Sequence, residues 1–217
     1  VDYEEFYPEP LEMDATLKGF NKGARGDKPG SKLEPTLYLR WGKDLSQRVE
    51  DGFFNDYDWL IFDSLTFLAR AVMARNMWIN NRYGGVEELA DYRIVGSKMS
   101  EVFTSIASLP LNIYSTGHID TFQDENTKKI ETKIKLPGSA RDILPLVHTN
   151  IWLAFPESEG KGDKESTHFK VRTVPEPRGL QDIRTSLRGL SAVEDVTIRD
   201  FNDPTKWGIG GLLAKAK

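Results

Sequence analysis

The 217-residue chain contains no cysteine. That excludes a disulfide scaffold, thiolate metal ligands and a thiol nucleophile. Histidine is scarce too. His118, His148 and His168 are widely spaced and match no zinc-binding pattern. No apolar run approaches the roughly 18 residues that argue for a membrane-spanning helix. The opening from Val1 to Pro10 is acidic and aromatic, without the basic start and apolar core of a signal peptide. The expected protein is therefore cytoplasmic, with no membrane partner. Charge of one sign is not in excess either. The formal net charge is −4, so any nucleic-acid contact has to use a local basic patch.

A G-x-x-x-x-G-K-[ST] phosphate-binding loop is also missing. The nearest segment is Gly26-Asp-Lys-Pro-Gly-Ser-Lys32. Its glycine spacing is wrong, its lysine follows the serine, and Pro29 removes an amide donor. A phosphate cradle relies on successive backbone N–H groups at a helix start. The segment reads as a solvated basic loop.

What is present has the length of one large domain. Residues 1–56 read as an irregular N-terminal region. It holds a basic glycine-rich loop from Phe20 to Pro35, an alternating strand from Thr36 to Trp41, and a helix from Asp44 to Phe54 ending near Gly52. Residues 57–203 read as the core, and 204–217 as a flexible tail in which Gly208, Gly210 and Gly211 leave little to pack.

Within the core, Trp59 to Phe62 are four consecutive apolar residues bounded by acids, the pattern of a strand buried on both faces of a parallel sheet. Leu65, Leu68, Ala69, Val72 and Met73 then recur at helical spacing, with Ser64 able to cap the helix. A second helix from Glu87 to Leu109 has Ile94, Met99, Val102, Phe103 and Ile106 as core positions. Leu111 to Ser115 is a second buried strand. Asp120 to Lys135 reads as a charged hairpin or excursion, Pro137-Gly138 as a turn, and Ala140 to Val147 as a short helix. Asn150 to Phe155 and His168 to Val174 are further strands, joined by a turn at Gly160 to Lys164.

Strands alternating with helices predict an α/β fold with a mostly parallel sheet, flanking helices and a C-terminal β-hairpin. Ligands in such sheets bind beyond the carboxyl ends of the strands. That rule selects Asp63-Ser64 and Thr116-Gly117-His118. Apolar residues followed by a strand-end carboxylate form a Walker B pattern, because Mg²⁺ on a nucleotide needs a rigidly held hard oxygen. The structural alternative is that Asp63 or Ser64 simply caps the next helix. His118 can donate a hydrogen bond to phosphate in either charge state.

Two basic clusters accompany these positions. Lys128, Lys129, Lys133 and Lys135 lie on the charged excursion, where they can grip DNA phosphates or merely aid solubility. Arg172, Arg178, Arg184 and Arg188 lie among Glu176, Asp182 and Glu194, which can pair with them.

In order, DWLIFDSLT, DYRIVGSKMSEVFTSIASLPLNIYSTGHID, KIKLPGSARDILPLVHTNIWLAF and FKVRTVPEPRG resemble the bacteriophage RecA-like ATPases of the AAA or P-loop NTPase type. The likeness covers Asp58 to about Ser191 and lies in the order of the segments rather than in one motif. It implies a RecA-like core binding ATP and Mg²⁺, and a role in phage DNA recombination, repair or replication in the host cytoplasm. It also implies a homo-oligomer on single-stranded DNA. Asp63 then matches the Walker B carboxylate and metal ligand, and His118 the sensor. Ser64 and Thr116 flank the nucleotide, and Arg178 is the arginine that can reach a neighbouring subunit's nucleotide. The family's Walker A loop is not in this sequence, so autonomous ATP hydrolysis is not expected.

Two other classes compete. One is a non-catalytic DNA-binding or structural protein on a degenerate ATPase core. The other is a metal-dependent nuclease using Asp58, Asp63 and Asp120, which would need convergent carboxylates.

Overall fold

The computed structural model describes residues 34–123, 130–137, 139–160, 166–176, 182–203 and 206–216. The chain divides into two compact units: Val1–His118 with Ile134–Leu144, and Ile119–Lys133 with Pro145–Lys217.

In the first unit, helix α1 (Leu37–Glu50) precedes strand β1 (Trp59–Phe62). Helices α2 (Leu65–Ile79) and α3 (Leu89–Ala107) follow, then strand β2 (Asn112–Ser115). β1 and β2 are parallel, with Trp59 opposite Asn112 and Phe62 opposite Ser115. Parallel neighbours need a long crossover, which α2 and α3 supply. Leu65, Ala69, Val72, Met73 and Met77 of α2 pack with Val95, Met99 and Phe103 of α3 in one buried cluster. Leu136, Ala140 from helix α4 (Ala140–Ile143) and Leu144 join it. Each buried leucine, valine, methionine or phenylalanine of the cluster contributes about 1.5–3 kcal/mol on burial.

The α2–α3 corner is held by a carboxylate. Asp91 is 0% exposed. It accepts from the Arg82 guanidinium, from Asn76 Nδ2 at 2.7 Å, and from the Glu88 amide at 2.8 Å in a capping box. Arg82, opposed by burial, holds the Asp91 carboxyl below its usual range, with the Glu88 amide and Asn76 acting in the same direction.

Several sequence expectations change here. Thr36–Trp41 is not a strand; Leu37 opens α1. The alternating apolar residues also sit at helical spacing. Tyr38 and Trp41 stack at 6.1 Å, Trp41 meets Phe62 at 6.0 Å, and Arg48 pairs with Asp44 one turn apart. β1 is not buried on both faces. Trp59 is 44% and Ile61 63% exposed, while Phe62 turns inward to Phe103 at 5.8 Å. A run of apolar residues records hydrophobicity and cannot say whether a second layer covers both faces. Ile94 is exposed, whereas Met99, Phe103 and Ile106 are buried as expected.

In the second unit, strand β3 (Ile119–Gln123) pairs with β4 (Ile130–Ile134). Strands β5 (Leu153–Glu159), β6 (Ser166–Arg172) and β7 (Val193–Asp195) form an antiparallel sheet. The parallel pair β1–β2 is thus accompanied by an antiparallel three-stranded sheet, in place of the mostly parallel sheet that was expected. The tail also departs from expectation. It carries helix α5 (Gly208–Lys215), with Leu212 buried and Lys215 Nζ 2.7 Å from both Glu194 oxygens. Gly211 serves a close approach and Gly208 a left-handed backbone. A Cβ on Gly211 would stand 2.5 Å from the Lys206 carbonyl oxygen, and Gly208 has φ +61.

Candidate functional site

Side chains alternate along a strand, and directly opposed residues share a face. Trp59, Ile61 and, just beyond the strand end, Asp63 therefore lie on one face of β1. Asn112, Tyr114 and Thr116 lie on the same face of β2. The ladder runs past the strand ends: the Thr116 amide donates to the Phe62 carbonyl at 2.9 Å, and the Leu65 amide to the Thr116 carbonyl at 2.9 Å. Thr116 Oγ1 then donates to Asp63 Oδ1. The Asp63–Ser64 peptide bond is cis. Burial raises the Tyr114 phenol above its ordinary value, and the Asp63 charge pushes it the same way.

Ser64 stands at the start of α2, but its hydroxyl makes no capping bond. It is 8% exposed, and its Oγ has no hydrogen-bond partner among the described residues. The helix-capping alternative thus fails for Ser64 as a side-chain cap.

His118 is exposed and fixed through its backbone. Its amide donates to Thr66 Oγ1 on the first turn of α2 at 3.1 Å, and its carbonyl accepts from the Lys135 amide at 2.7 Å. Gly117 lies against Ile134, whose Cδ1 would be 2.7 Å from an added Cβ. The imidazole meets the Phe67 ring edge to face, with centroids 5.7 Å apart. Asp63, Ser64, Thr116 and His118 are thus gathered where β1 and β2 end and α2 begins. Thr66, Phe67 and Tyr114 join these residues, and none of them lies at a strand-end motif. Tyr114 was legible from two-residue alternation with Thr116, whereas Thr66 and Phe67 needed the helix start to be placed beside β2.

The other expected positions are dispersed. Lys133 lies on β4 and Lys135 directly after it, whereas Lys128, Lys129 and Arg178 fall outside the described residues. Arg172 pairs with Glu176 at 2.6 Å. Arg184 donates to the Pro145 and His148 carbonyls. Both arginines thus have partners inside their own unit. No cluster of three acidic or histidine side chains that could hold a metal occurs among the described residues.

Comparison with family models, curated proteins and solved structures gives no match. No helix among the described residues is long and apolar enough to cross a membrane.

The second unit has a polar constellation of its own. His168 Nδ1 lies 3.3 Å from Asp195 Oδ2, and its Nε2 lies 3.2 Å from Ser166 Oγ. By register these residues share a strand face with Glu157, Glu159 and Lys170. Lys170 bonds both glutamates. We read the row as part of that face's hydrogen-bond network.

Proposed function

We infer that the carboxyl ends of β1 and β2 form part of an Mg²⁺–ATP site on a RecA-like core, in a protein that acts on single-stranded DNA during recombination, repair or replication. The observation that carries this is the Thr116–Asp63 hydrogen bond across two parallel strands, directly before a helix start. A carboxylate and a hydroxyl on rigid strand ends are the hard oxygen donors that Mg²⁺ prefers, and phosphates and water complete its shell. One protein carboxylate is enough for that role, so the lack of a larger acidic cluster does not count against it.

In this reading Asp63 holds the metal, Thr116 orients Asp63, and the Ser64 hydroxyl lies beside them. The exposed imidazole of His118 donates a hydrogen bond to the terminal phosphate. Bound metal would supply charge neutralisation on the phosphates. Lys133 and Lys135, with Lys128 and Lys129, provide cationic contacts for DNA, and the protein works as a homo-oligomer in the host cytoplasm. A degenerate, non-catalytic core that binds DNA without nucleotide is the second reading.

Titration calorimetry with ATP, with and without Mg²⁺, tests the first reading. Mg²⁺-dependent binding that Asp63→Ala removes is the expected result. Binding unchanged in that variant, or no binding by the unaltered chain, would overturn it.

A further inference from the structure

We propose that Phe67 and Arg70, beside His118, form a stacking platform for a single-stranded polynucleotide. Phe67 stands on the first turn of α2 and is 59% exposed. The Arg70 guanidinium carbon lies 5.9 Å from its ring centroid, and the His118 ring lies on its edge-to-face side at 5.7 Å.

Single exposed apolar side chains are ordinary, so the argument rests on the company this one keeps. Five arginines among the described residues lie over aromatic rings. Arg48 over Phe53 also pairs with Asp44, and Arg75 over Trp78 with Glu34. Arg172 over Phe155 pairs with Glu176, and Arg199 over Trp207 with Asp195. Each of those cations is neutralised inside the fold. Arg70 over Phe67 has no acidic partner among the described residues, and neither nitrogen of the His118 ring has a hydrogen-bond partner there.

A 59% exposed aromatic ring beside a guanidinium without an acidic partner among the described residues suits the two things a single strand presents together, base and phosphate. The ring stacks on a base. The guanidinium takes the adjoining phosphate in a fork geometry. A duplex keeps its base faces stacked internally and cannot use the ring. The chain's net negative charge makes such a local site necessary if the protein binds nucleic acid at all.

The proposal deepens the single-stranded DNA part of the reading above and does not depend on its nucleotide part. The test therefore omits ATP. Fluorescence anisotropy with a labelled oligothymidylate is measured across salt concentrations for the unaltered chain, Phe67→Ala, Phe67→Tyr and Arg70→Gln, each first checked by circular dichroism for native folding. Loss of one base stack should weaken binding about 5- to 150-fold in Phe67→Ala. Phe67→Tyr should bind nearly as the unaltered chain does. Arg70→Gln should flatten the slope of log affinity against log salt by about 0.7, one phosphate contact on a single strand.

Binding that both Phe67→Ala and Arg70→Gln leave unchanged would overturn the platform while leaving DNA binding in place. No binding by the unaltered chain would overturn both. Equal competition by free mononucleotide and by unlabelled strand would overturn the polynucleotide as the occupant.

Discussion

The ends of β1 and β2 and the face of the β5–β6–β7 sheet are both rich in polar side chains, but they use them differently. On the sheet the charges satisfy one another. Lys170 bridges Glu157 and Glu159, Asp195 holds His168 and Arg199, and Lys215 grips Glu194. At the strand ends, recognition capacity is left over. Asp63 keeps one hydrogen bond from Thr116, the Ser64 hydroxyl is buried without a partner, and Arg70 has no counter-ion among the described residues. Mutual satisfaction builds stability, whereas unused donors and acceptors are what a ligand needs. The contrast predicts that substitutions on the sheet and in the interior change stability, and that those at the strand ends change binding.

The largest effect belongs to a carboxylate of the first unit that resembles the sheet in being fully partnered. Asp91→Ala leaves Arg82 and the Glu88 amide without their acceptor and should cost about 2–4 kcal/mol in urea unfolding. The Asp91 folded pKa is lowered, so its contribution is fully present above the unfolded carboxyl value, near 4. The contribution disappears as pH falls through the folded value. An Asp91→Ala protein as stable as the unaltered chain would break the comparison at its strongest point.

Next comes Gly211→Ala. The added methyl meets the Lys206 backbone rather than a movable side-chain tip, which should cost about 1–3 kcal/mol. A thermal melt of the variant measures it.

Asp195→Asn sharpens the contrast on the sheet itself. The Thr197 hydroxyl and amide, aided by His168 and Arg199, hold the Asp195 carboxyl at about 2. A lowered carboxyl pKa stabilises the fold above the unfolded value and loses that contribution as pH falls towards 2. The carboxylate is about a third exposed, so solvent screening reduces the effect to about 1 kcal/mol. Stability measured between pH 5 and 2 should fall more steeply for the unaltered chain than for the variant.

Asp63→Ala should move stability least, within about 0.5 kcal/mol, while abolishing Mg²⁺–ATP binding. A variant that lost stability and kept nucleotide affinity would reverse the assignment of roles between the two regions.

Much of the first unit is legible in the amino-acid sequence. Strand β1 spans the Trp59–Phe62 run, α2 follows Ser64, and the Met99, Phe103 and Ile106 stripe is buried, because apolar spacing directly records which face a helix must hide. Asp63 and His118 were legible because each follows a short apolar run that forms a strand. What failed was pattern with two solutions. Thr36 to Trp41 alternates like a strand, yet Leu37 opens a helix, on which Trp41 meets Phe62. The glycines after Trp207 signalled looseness, yet Gly211 is required by a backbone approach that no local window contains.

By itself, then, the sequence determined the absence of thiol chemistry, the existence of β1, α2, α3 and β2, and the two strand ends that carry polar side chains. Tertiary structure decided which of those side chains meet. The Thr116–Asp63 bond spans 53 positions and His118–Thr66 spans 52. Such contacts depend on parallel register and on how a helix start seats against a neighbouring strand, and no local propensity encodes either one.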